Sequence, residues 1–150
     1  MPEDRDALIA HYHATRRDLM TALDGLDDAA MLDATIDGWS VTDHLAHLAL
    51  WADIRAGEVT RISAGYESAY RLTPEQDDAF NAIAHEARRG WSPEQARWEL
   101  EQARTRLLDA LTRATPRGLQ ADRYGSAGLR SDHESEHAGW IRRWRSERGI

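Results

Sequence analysis

Apolar side chains recur at helical offsets along almost the whole chain, and no useful stretch alternates with the two-residue period of a strand. That pattern is the strongest constraint on the fold. A chain without strands can bury its apolar stripes only by packing helix against helix. Leu8, Tyr12, Leu19, Ala22 and Leu26 mark a first helix, with Pro2 near its first turn and Gly25 and the Asp27–Asp28 pair at its end. Ser40-Val41-Thr42-Asp43 resembles a capping box and opens a second helix, whose stripe is Val41, Leu45, Leu48, Ala52 and Val59. Gly65 closes it. Thr73-Pro74-Glu75-Gln76 starts a shorter helix running to Gly90. Ser92-Pro93-Glu94-Gln95 repeats the device before a helix carrying Ala96, Leu100, Ala103, Leu107 and Leu111. Residues 116–130 hold Pro116, Gly118, Gly125 and Gly128 and are expected to form a loop. Ser131 with Glu134 is expected to cap a last helix reaching about Arg148. The fold class expected is therefore all-α: a four-helix bundle with one additional short helix, forming a single domain over residues 1–150.

Composition narrows the chemistry. The chain has no cysteine, which removes disulfides, thiolate metal sites and cysteine nucleophiles. Its 19 basic residues are all arginine, so without lysine neither Schiff-base chemistry nor a Walker phosphate loop is available. A net charge of −7 argues against nucleic acid as a partner. No apolar run approaches the ~18–20 residues of a membrane span, and the first residues lack a signal-peptide pattern. A cytoplasmic protein with no membrane partner is expected.

Histidine is the unusual asset. His133 and His137 are four residues apart, so on a helix they project from one face and can chelate one ion. Trp140 and Trp144 continue the same stripe and are expected to face the core. His133-Glu134-Ser135-Glu136-His137 also matches the H-E-x-x-H pattern of zinc proteases. That reading fails, because Arg143 stands where one protease class needs its third histidine and only 13 residues follow His137. A third ligand must come from the second helix, where His44 and His47 are candidates. Measured from Leu48 at 100° per residue, His44 lies about 40° away and His47 about 100° away, which slightly favours His44 as the more buried. His11, His13 and His85 have no matching partner and receive no role.

The segment Gly38-Trp39-Ser40-Val41-Thr42-Asp43-His44-Leu45-Ala46-His47-Leu48-Ala49-Leu50-Trp51 resembles the signature of the DinB-like superfamily. This superfamily includes the mycothiol-dependent maleylpyruvate isomerases. Asp78 to Arg88, Glu94 to Leu111 and the ending Asp132 to Trp144 resemble its ClbS/DfsB-like branch. The resemblance implies an up-down-down-up bundle, often a homodimer, and a metal site of three histidines. By position, it implies His47, eight residues after Trp39, with His133 and His137.

Three neutral imidazoles would suit Zn²⁺ or Ni²⁺ and leave coordination positions open. The resemblance implies action on a small-molecule ligand: a thiol-dependent transferase or isomerase using a low-molecular-weight thiol, or a hydrolase of a reactive electrophile. The alternative is a non-catalytic ClbS/DfsB-like binding or stress-resistance protein. Trp51, one turn beyond His47, is expected to wall the substrate pocket together with His44.

Overall fold

The computed structural model describes residues 1–35 and 37–150. It is all-α. The helices are α1 (Arg5–Leu23), α2 (Asp28–Leu32), α3 (Val41–Ser63), α4 (Pro74–Ala87), α5 (Pro93–Arg113) and α6 (His133–Arg148), with two 3-10 turns at Arg117–Leu119 and Ala121–Arg123. Among the described residues no strand forms beyond an isolated bridge between Ala34 and Ser40. No described helix is long and apolar enough to cross a membrane. The five-residue α2 was not anticipated. Asp27 caps it by accepting from the Ala30 backbone N–H, the short-range bonding that Asp offers at a helix start.

The start signals at Ser40, Thr73 and Ser92 act as the sequence suggests, whereas α1 begins at Arg5 behind the cap residue Asp4 rather than at Pro2. Ser40 and Asp43 form a reciprocal capping box on α3, and Thr73 and Gln76 form another on α4. Ser92 accepts from the Gln95 N–H at the start of α5. At α6 Ser131 Oγ accepts from the His133 N–H at 3.1 Å, but Glu134 does not complete the expected box. The helix begins at His133, and Glu134 instead pairs with the buried Arg16 of α1 at 2.6 and 3.1 Å. A buried guanidinium needs a carboxylate more than an exposed helix end needs a cap.

Helices α3 and α5 form one close pair and α1 and α6 another. One apolar cluster joins Leu19, Leu45, Leu48, Leu100, Ile141 and Trp144; a second joins Leu8, Tyr12, Val59, Ile62, Leu107 and Leu111. Arginines lace the ends. Arg145 of α6 donates to the Ala22 and Asp24 carbonyls around the end of α1, and Arg117 donates to the Ile62 carbonyl near the end of α3.

Helix α4 packs on the outer side of α3, where Trp51 and Ile54 meet Phe80 and Tyr70. The loop before α4 is stitched to the loop before α6: Ser126 N–H donates to the Tyr70 carbonyl at 2.6 Å, and Leu72 N–H to Ser126 Oγ at 3.0 Å. Gly125 makes this approach possible, since a Cβ there would lie 2.3 Å from the Tyr70 oxygen. This places the residue 126–131 segment beside the first turn of α6.

Trp140 departs from expectation. It is 52% exposed, whereas Trp144 is 3% exposed. The buried face of α6 is set by His137, Ala138, Ile141 and Trp144. At 100° per residue Trp140 lies about 60° from His137 on the side away from Ile141, off the edge of that face. The offsets 0, 4, 7 and 11 conceal this drift, because they fit a helical stripe only within a broad arc.

Candidate metal centre

His47 of α3 and His133 and His137 of α6 converge, each offering one ring nitrogen within 4.8 Å of the others. Nε2 of His133 lies 3.1 Å from Nε2 of His47 and 3.2 Å from Nε2 of His137. Nitrogens on adjacent positions of an ion bound at 2.0–2.1 Å fall about 2.9–3.4 Å apart, so the spacing fits one cation. Hydrogen bonding alone fits less well. A neutral imidazole carries a single N–H, which cannot serve two neighbours, whereas one cation engages all three lone pairs.

His44 is 1% exposed and stands behind the cluster. Its Nδ1 lies 2.7 Å from Nδ1 of His137, and its Nε2 lies 3.2 Å from Thr35 Oγ1 and 3.3 Å from Asp37 Oδ1. These contacts fix the protons in sequence. Nε2–H of His44 faces the Asp37 carboxylate, so Nδ1 of His44 is an acceptor. His137 then donates from Nδ1 and keeps the Nε2 lone pair toward His47 and His133. A carboxylate behind a ligand histidine orients the ring and raises its basicity. The enclosure of His44 agrees with its position on the helical wheel. It was expected to line the ligand pocket; it instead supports His137.

All four imidazoles are held in their neutral form. Burial, reinforced by neighbouring imidazoles, pushes His47 down to about 4, His133 to about 3 and His137 to about 2. Burial also lowers His44, with the Asp37 charge opposing. Neutral nitrogens are the form a metal requires.

Aromatic rings enclose the group. Trp39 meets His44 and His47 edge-on at 5.8 and 5.2 Å, and Trp140 meets His137 at 4.6 Å. His85 of α4 stacks flat on Trp39 at 4.8 Å, with Nε2 3.4 Å from Asp43. Trp51 is buried against Phe80, donates from Nε1 to Asn81 Oδ1 at 2.7 Å and borders a cavity shared with His47 and His133. A second opening, lined by Trp39, Asn81, His85 and Trp140, reaches all three histidines of the cluster.

Sequence reasoning missed Asp37, Asp77, Asn81 and His85. The signal was present for α4, where Asp77, Asn81 and His85 recur every four residues as a polar stripe. His11 and His13 lie apart: His11 donates to the Ser131 carbonyl at 2.8 Å, and His13 Nδ1 accepts from Arg104 at 2.6 Å.

Two solved structures resemble the fold. An uncharacterised protein from Escherichia coli UTI89 matches with a TM-score of 0.78 and 15% identity, covering 100% of this chain and 97% of that one. A mycothiol-dependent maleylpyruvate isomerase matches with a TM-score of 0.72 and 17% identity, covering 93% of this chain. This chain spans 61% of that protein's length. No curated protein sequence matches. The family model of the DinB superfamily matches residues 11–141, from α1 into α6, and the chain belongs to that superfamily.

Proposed function

We propose that the protein binds one divalent metal ion, Zn²⁺ or Ni²⁺, at His47, His133 and His137 and acts there on a small molecule, as a thiol-dependent transferase or isomerase. The observation that carries this reading is the meeting of three neutral imidazole nitrogens at the wall of an open cavity. When bound, the ion would supply Lewis acidity toward a thiol, a water or a substrate oxygen. His44 holds the His137 ring with its lone pair forward, while Trp39 and Trp140 flank the cluster at the mouth of the opening. The similarity to a mycothiol-dependent enzyme supports a thiol as co-substrate. Hydrolysis of an electrophile would use the same centre with water in the thiol's place.

The test is elemental analysis of protein purified without a His tag, followed by thiol binding and turnover. One equivalent of metal is expected, lost in His137→Ala and retained in His13→Ala. Equal retention in the two variants overturns the reading. Stoichiometric metal and ligand without turnover would instead favour the sequestering role.

A further inference from the structure

A cavity of about 240 Å³ opens on the His47 and His133 side of the cluster, bordered also by Trp51, Arg55, Asp77 and Glu136. Arg55 of α3 is 5% exposed. It donates from Nε to the Ala127 and Gly128 carbonyls, both at 3.1 Å, and from Nη2 to Ala127 at 2.7 Å. Nη1 has no protein partner among the described residues. No described carboxylate lies within ion-pair reach of Arg55. Glu58, one turn on, is engaged by Ser68 Oγ and by the Ala69 N–H at 2.9 Å. Carbonyl dipoles offset part of the cost of burying a guanidinium, but its charge is left without a counter-ion.

A second residue lining the cavity carries the opposite deficiency. Asp77 Oδ1 is buried with no hydrogen-bond partner. Asp77 sits in the first turn of α4, near the positive end of the helix dipole. Glu136, exposed at the rim, adds to the negative side. A cation and an anion that line one cavity without joining each other form the complement of a zwitterion.

We propose that this cavity binds an α-amino-acid-like zwitterion, its carboxylate on the Arg55 guanidinium, its ammonium on the Asp77 carboxylate and its side chain directed to His47 and His133. The carboxylate and ammonium contacts stand on Arg55 and Asp77 alone; only the side-chain contact rests on the metal reading above. Bidentate or charge-assisted bonds at both poles would fix the ligand's orientation, so the side chain reaches the imidazoles with little freedom.

Calorimetric titration of the zinc-loaded protein with L-cysteine, cysteamine and 3-mercaptopropionate separates the poles, since the last two lack the carboxylate and the ammonium respectively. L-Cysteine is expected to bind about tenfold or more tightly than either, the effect of one charge-assisted hydrogen bond. Arg55→Met should remove the advantage over cysteamine, and Asp77→Asn the advantage over 3-mercaptopropionate. If Arg55→Met loosens the loop at Ala127, Asp77→Asn and the ligand order in the unsubstituted protein still decide. Equal binding of the three ligands overturns the proposal and leaves the metal reading standing. Failure to take up zinc overturns the metal reading, and the same order must then appear with the metal-free protein for the zwitterion site to survive.

Discussion

The two sides of α3 face opposite chemistry. Toward α5 it presents an apolar seam, where Leu45, Leu48 and Ala52 join Ala96, Leu100 and Ala103 in one cluster. Toward α6 it presents His44 and His47, which meet His137 and His133 across a polar seam. The first seam is close and long, while the second is confined to the start of α6. The difference shows how a small bundle can hold buried imidazoles. Burying several unpaired polar rings costs stability, so the apolar seams must carry the fold and leave one seam free for the site.

The largest effects should come from the apolar side. Trp144→Ala is expected to destabilise by ~3–5 kcal/mol in urea denaturation, the usual cost of emptying a large core site. Trp140→Ala should cost less than ~1 kcal/mol, since half of its side chain is already in water. Equal losses would erase the distinction between the two faces of α6.

The polar seam should reveal itself through acid. The unfolded imidazoles titrate near 6.5, whereas His47 in the fold is held to about 4 and His133 to about 3. Above pH 6.5 the rings are neutral in both states, and the depressed values cost nothing. As pH falls below 6.5, the unfolded chain takes up protons that the fold refuses. Stability of the metal-free protein should therefore decline from pH 6.5 to about 4, by up to ~1.4 kcal/mol per pH unit for each excluded proton. A flat stability profile across that window would mean that the rings are not enclosed.

The support behind His137 gives a smaller signal. Asp37→Asn removes the charge that orients His44 and, through it, His137. Metal affinity should fall about 10–100-fold with little change in the stability of the metal-free protein. Affinity that is unchanged in a competition titration would show that Asp37 does not set the tautomers. Saturating metal should itself add stability, about 2.7 kcal/mol at 100-fold over Kd, measurable as a rise in Tm.

Much of this was legible in the chain. The caps at Ser40, Thr73 and Ser92, the apolar stripes and the His133–His137 spacing are local features, set by residues within one or two turns of each other. Local geometry determines them before any packing occurs. The choice between His44 and His47 was different. Both lie on one flank of α3, and the helix alone favours the more buried ring; only the position of α6 puts His47 level with His133 and His44 behind His137. The same holds for Glu134, drawn from its cap by Arg16 across the bundle, and for Trp140, left outside the face of α6 that the neighbouring helices bury. Arg55 and Asp77 are 22 positions apart in the sequence, and only the packing of α4 on α3 gives them a common cavity. Periodicity and capping are written in neighbouring residues, so the sequence by itself determined the helices and the spacing of His133 and His137. Which rings meet, and which charges share a cavity, depends on long-range packing, and the tertiary structure alone decided it.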